Sequence, residues 1–344
     1  MNRLDNMEGN NFRYFLDNFR GLAIIFVMLS HLTSFHTMGR FGDYIYFLVG
    51  GATAWFVFIS GYLFYYLERG KFNYSDYLSK KAMYVILPYL LLSIPAICTG
   101  LYFAWPTLIG LNSGEYIAWS LLVGGNVVGP MWFIPMIIIF FVMTPVFNLV
   151  AKSWMLYVFA AMALVFSLFS SRPIHNLNAL LSFFHFLGFY MLGLVFSAQA
   201  IRIAAIKSSV KTGIIVVSLA AFALAAFFYQ DAESILIGFQ DGLGIFNLLL
   251  FGKLLLLIAI FFIFEKFFDQ PNKVLGYFAK ISFGLFFIHG FYILIFVKIA
   301  KYMINMSAAS MLVVEFWLVI IGSFATVFVL KHMFNKRSRY VIGC

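Results

Sequence analysis

An arginine and a histidine eleven residues apart lie in the first apolar stretch of the chain, Phe12 to Thr37, which reads FRYFLDNFRGLAIIFVMLSHLTSFHT. On an α-helix, eleven residues make three turns plus about 20° and rise roughly 16 Å, so Arg20 and His31 share one face at two depths. Asp17 lies about 40° from His31 by the same arithmetic. One stripe therefore runs Asp17, Arg20, Ile24, Val27 or Met28, and His31. Histidine titrates near neutrality and takes a proton from an attacking hydroxyl, the usual work of a general base. Arginine stays charged and offers a fork suited to phosphate. Each also has a plainer reading: His31 as a hydrogen-bonder between helices, and Arg20 as a basic anchor paired with Asp17 three residues earlier. Ionisable groups inside a bilayer are costly and normally face a bundle interior or a watered cavity, so the stripe is expected to face protein.

Further candidates follow along the chain. Ser60, in FVFISGYLF (Phe56 to Phe64), puts a hydroxyl in the bundle next to Gly61; helix packing through small residues is the competing reading. Lys80 and Lys81 stand shortly before Pro88, as a membrane-edge anchor or, opposite a phosphate-bearing ligand, as a charge clamp. His289 falls at mid-depth of the ninth apolar segment and His185 in the sixth, each with the same structural reading as His31. Lys253, about nine residues into the eighth segment, must snorkel, line a polar cavity or find a carboxylate, for which Glu315 is one option. Metal-ligand spacings, a P-loop and a Gly-rich dinucleotide fingerprint do not occur, so neither a metal nor a nucleotide-hydrolysing mechanism is expected.

The elements that hold these side chains are membrane helices. Of 344 residues 63% are hydrophobic and 10% charged, the composition of a polytopic membrane protein. Spanning segments are drawn at about 19–38, 44–66, 82–104, 131–150, 154–171, 180–199, 211–230, 244–265, 281–299 and 310–331. That is an all-α bundle of about ten helices forming a single domain over 1–344, without repeats. With both termini in the cytoplasm, 18 Lys and Arg fall inside and 4 outside, leaving Lys253 within a helix. The net charge of +10 is then a topology signal, and nucleic-acid binding loses its motive. The connection from Trp105 to Pro130 holds apolar pieces too short to span, such as Tyr116 to Val123, and reads as interfacial or re-entrant. With Glu115 there, and Asp231, Glu233 and Asp241 in a later loop, it offers a lining for a hydroxyl-rich acceptor or simply a solvated surface. Two cysteines, Cys98 and Cys344, make no disulfide framework, and the first helix reads as retained, not as a signal peptide.

Several segments together resemble the integral-membrane acyltransferase-3 family, the bacterial O-acyltransferases of surface carbohydrates. LDNFRGLAIIFVMLSH resembles its first-helix pattern, FVFISGYLF its Ser-Gly-aromatic segment, GPMWFI its Trp-Phe segment, FLGFYMLGL its sixth-helix segment and ISFGLFFIHG its late Ser and His segment. They run in the family's order from residue 13 to about 291. One departure concerns two arginines, three apart, that the family often carries before the proline opening the third helix. Here Lys80 and Lys81 fill the first position or its neighbour, and Tyr84 and Val85 the region of the second, leaving Arg20, Arg69 or Lys71 to compensate.

The resemblance implies a membrane O-acyltransferase, with acetyl-CoA or another acyl-CoA as donor and no metal. The donor's phosphates are expected near Arg20, Lys80 and Lys81, and its pantetheine arm along the stripe to His31. His31 then acts as base for a sugar hydroxyl or carries the acyl group, while Ser60 or the Trp132 indole stabilises oxyanion charge. Asp17, Lys253 and His289 are supporting residues. The implied partners are membrane lipid and a surface glycan or lipid-linked sugar in the bacterial inner membrane, with homo-oligomerisation left open. A transporter or flippase for lipid-linked sugar, using His31, Lys253 and His289, is the alternative.

Overall fold

A computed structural model describes residues 13–125, 128–171, 177–236, 246–303 and 305–344; the side chains of 36 and 230–236 lie outside that description. The described residues are helical, with no strand among them. The main elements are α1 (Tyr14–Ser30), α2 (Gly39–Val49), α3 (Thr53–Glu68), α4 (Tyr74–Tyr102), α5 (Ser113–Val123), α6 (Phe133–Val142) and α7 (Thr144–Val150). They continue as α8 (Met155–Leu168), α9 (Ala179–Ala198), α10 (Ser208–Leu236), α11 (Leu248–Phe267), α12 (Lys273–Ala300), α13 (308–334) and α14 (Ser338–Val341). The expected segment 19–38 falls on α1 and the turn after it, 44–66 on α2 and α3, 131–150 on α6 and α7, and the described part of each other segment on one helix. Among the described residues, and with Gly39–Glu68 (α2 and α3) taken as one, seven helices are long and apolar enough to cross a membrane, or eight if the pair Gly129–Val142 and Thr144–Val150, bent by 53°, is one span.

Two expected spans are shaped differently from the sequence reading, and both for polar reasons. The first was drawn over 19–38, yet α1 starts at Tyr14 and ends at Ser30. Beyond it Glu315, fully buried on α13, accepts the Thr33 amide at 2.7 Å, the Thr33 hydroxyl at 2.8 Å and the Ser34 amide at 2.9 Å. A carboxylate that collects the leading amides caps a new helical start, here the 3-10 turn Thr33–Thr37. Glu315 is thus not the partner of Lys253.

The second span, drawn over 44–66, is α2 and α3 meeting at Gly50 and Gly51, where Gly51 takes φ +72°, a left-handed conformation that suits glycine. Breaking a helix leaves its last carbonyls without amide partners. Lys253, fully buried on α11, donates its ammonium to the Leu48 carbonyl and lies 5.8 Å from the centroid of the Trp55 ring and 6.0 Å from that of Phe47. A cation at a helix C-terminus, faced by aromatic rings, resolves what looked like a stranded mid-membrane charge.

Small residues let the helices nearest the stripe approach closely. A side chain at Gly21 would collide with the Leu275 carbonyl, so α1 and α12 pack backbone to backbone and run parallel. On α3 and α9 the same holds for Gly61 against Tyr190 and Gly193 against Phe58, which makes that pair antiparallel. At the start of α1, Asn18 donates to the carbonyls of Phe268 and Gln270, and the Phe15 amide donates to Asp269. The 105–130 connection contains α5, opened by a reciprocal cap between Asn112 and Glu115, which assigns Glu115 a local role. Asp241 and the side chains of 231 and 233 lie outside the described residues. Cys98 and Cys344 are both free thiols.

Candidate active site

The stripe faces protein as expected: Ile24, Val27 and Met28 are buried, and Asp17, Arg20 and His31 are partly so. Its partner is α12. Arg20 donates from Nε to the Ser282 hydroxyl at 2.9 Å, and its guanidinium rests over the Phe283 ring at 5.6 Å. This leaves the outer N–H groups of the fork to a ligand. Asp17 does not close the expected ion pair with Arg20; among the described residues the one ion pair within 4 Å is Lys211 with Glu265. Asp17 instead lies at the first turns of α12 near Gly276, where a carboxylate meets the positive end of a helix.

Arg20 opens onto a cavity of about 460 Å³ that Ser60, Glu68, Lys80, Lys81 and Arg339 also line. Four cations against one carboxylate make a strongly positive chamber, of a size suited to a ligand with several phosphates. Lys81 sits 4.7 Å from the Phe141 ring centroid and 5.0 Å from that of Tyr77, both chamber walls. The chamber owes part of its shape to a π-helical turn at Ala82–Ile86 inside α4, a feature common at functional sites. That turn supplies Tyr84 and Val85 to the wall. Arg69 and Lys71 line two neighbouring hollows, not the chamber, and Glu68 borders all three.

Beyond the chamber the space narrows to about 20 Å³, room for roughly one water. Phe56, Phe133 and Phe283 line both spaces, and Val27, Thr53, Ser282 and Phe286 complete the neck. Val27 is one helical turn before His31, and the Phe286 ring lies 6.0 Å from that of His289. The chamber, the neck and the histidines therefore follow one line along the contact of α1 with α12.

At the far end of that line the rings of His31 and His289 face each other, 5.4 Å between centroids and tilted by 46°. The sequence placed these residues in the first and ninth segments with no sign that they meet. His31 follows the last residue of α1 and keeps a helical conformation, φ −97° and ψ −1°, which preserves its place on the stripe. His289 is fully buried, with Nδ1 2.9 Å from the Leu285 carbonyl and Nε2 without a hydrogen-bond partner. A carbonyl only accepts, so Nδ1 carries the hydrogen and, in the neutral ring, Nε2 keeps a bare lone pair. Leaving such a nitrogen unpaired in the interior costs about 1–3 kcal/mol, which packing alone does not explain.

The other expected residues divide. Ser60 lines the chamber, and its neighbour Gly61 packs against Tyr190. Trp132 is buried and stacked on Phe186 with 5.8 Å between centroids; it stands beside the chamber wall residue Phe133 and is not itself part of the lining. Lys253 holds the α2–α3 junction away from the chamber. His185 is hydrogen-bonded through Nδ1 to Ser170, 3.0 Å from both its hydroxyl and its carbonyl, and serves packing. Arg339 also lines the chamber, although in the sequence its segment reads only as a basic tail. Among the described residues no group of three or more His, Cys, Asp or Glu stands together as a metal site.

A family model described as an acyltransferase domain matches residues 13–332 of this chain. No curated protein and no solved structure matches it.

Proposed function

Because the chain belongs to the acyltransferase-3 family, we propose that it is an O-acyltransferase of the bacterial inner membrane, moving an acyl group from acyl-CoA, most simply acetyl-CoA, to a hydroxyl of a surface glycan or lipid-linked sugar. The observation that carries this reading is the line from a basic chamber through a narrow apolar neck to a histidine pair. In this reading the chain is one transmembrane domain of ten helices with both termini in the cytoplasm, and the chamber opens to that side. The donor's phosphates bind Arg20, Lys80 and Lys81, and the slim arm passes Ser282 and Phe286 into the neck.

At the histidine pair, His31 takes the proton from the acceptor hydroxyl as its oxygen bonds to the thioester carbonyl carbon. The tetrahedral intermediate collapses with cleavage of the carbon–sulfur bond, the proton passes to the departing thiolate, and CoA-SH leaves. His289 presents its lone pair beside His31, where it holds that ring or the incoming hydroxyl in one orientation. The transporter reading loses support, since Lys253 is engaged at a helix end.

The test is transfer of label from radiolabelled acetyl-CoA to extracted glycan by the purified protein in vesicles. Labelled glycan is expected with the natural chain, and a loss of about 10²–10⁴-fold with His31→Ala. Glycan moved across the membrane without label would overturn the proposal in favour of transport.

A further inference from the structure

Resting on the donor reading above, we propose that Arg339, delivered by the short helix that follows α13, is a phosphate-binding residue of the chamber and stands in for the second arginine missing from α4.

The chain reaches this position by a built fold. After α13 the backbone reverses at Asn335, whose φ of +47° is left-handed, and the turn α14 packs against α4. Ile342 is then fully buried in a cluster with Ile24 and Met28 of α1, Ile281 and Leu285 of α12, and Val327 of α13. A hydrogen bond from the Ser338 hydroxyl to the Cys344 carbonyl, 2.6 Å, closes the segment on itself. The burial of Ile342, this hydrogen bond and the ring contacts of residues 339 and 340 with Tyr84 together hold the segment in place.

What that anchoring presents is specific. The Arg339 guanidinium lies 3.8 Å from the centroid of the Tyr84 ring, and Tyr84 lines the chamber at the region where a second arginine would be expected on α4. Tyr340 adds a second ring contact with Tyr84 at 5.5 Å. Arg20 is mounted in the same way, on the ring of Phe283. Two guanidinium groups thus lie over aromatic rings around one cavity, Arg20 held in addition through Nε by Ser282. A stacked, planar fork loses less freedom on binding than a free lysine, and it matches phosphate oxygens two at a time. Gly343 completes the wall at φ +76°: a side chain there would press on Phe283, the ring that carries Arg20.

Arg339 is exposed and Arg20 half-buried, so they grip different parts of the donor. Arg20, next to the neck, takes the phosphates adjoining the pantetheine arm. Arg339, at the mouth, takes a phosphate of the nucleotide end.

The test measures equilibrium binding of 3′,5′-ADP, the nucleotide end without the arm, to the full chain in detergent or nanodiscs. Arg339→Gln is expected to weaken it about ten- to hundredfold, the worth of one hydrogen-bonded charge contact. Arg339→Lys should recover part of the loss. Lys336→Gln, which removes an exposed cation outside the chamber lining, should bind like the natural chain. Natural chain that binds while Arg339→Gln binds equally well overturns the role of Arg339 alone, and so does a Lys336→Gln loss as large as that of Arg339→Gln. Natural chain that binds neither 3′,5′-ADP nor acetyl-CoA overturns the donor reading itself.

Discussion

Replacing His289 by leucine separates chemistry from packing in a way few substitutions in this bundle allow. Leucine is close to histidine in volume, so the α1–α12 contact keeps its shape. The change removes one hydrogen bond, from Nδ1 to the Leu285 carbonyl at 2.9 Å, worth about 0.5–1.5 kcal/mol. It also removes the buried Nε2 that has no partner, relieving about 1–3 kcal/mol. The net change lies between about 0.5 kcal/mol lost and about 2.5 kcal/mol gained, so the leucine variant should fold. If the bare nitrogen beside His31 orients the reacting groups, acyl transfer should fall by about 10²-fold, close to 2.7 kcal/mol of barrier. Acyl-CoA affinity should be unchanged, since the chamber proposed to hold the phosphates lies beyond the neck from His289. Thermal unfolding in detergent, donor binding and single-turnover label transfer measured on one preparation give the three readouts. A variant as stable as expected but with full transfer would refute the reasoning and leave His289 a helix-packing residue.

Arg20→Ala should weaken acyl-CoA binding by about ten- to hundredfold, as expected for a truncated phosphate contact, and direct binding to purified protein checks it. Lys253→Ala should destabilise the fold by about 3 kcal/mol, because it leaves the Leu48 carbonyl unsatisfied and opens a void beneath Trp55. Its donor affinity should match the natural chain, a pairing that unfolding and binding measurements test together.

Apolar runs of spanning length and a sparse set of charged residues made the helical membrane class legible in the sequence, because both follow from one-dimensional composition. So did the Arg20 to His31 stripe, since an eleven-residue spacing on a helix fixes a shared face whatever packs against it. Segments that resemble the acyltransferase-3 family pointed to the same helix. Tertiary structure alone decided what the stripe meets: Ser282 and His289, more than 250 residues away, reach Arg20 and His31 because Gly21 lets α12 lie against α1. It also decided the fate of the buried charges. Glu315 caps a turn and Lys253 caps a broken helix, since amides and carbonyls freed by backbone breaks are better partners for them than each other. Arg339 shows the limit most clearly. From the sequence it is one of several cations in a basic tail, and only the burial of Ile342 brings it onto Tyr84 and into the chamber.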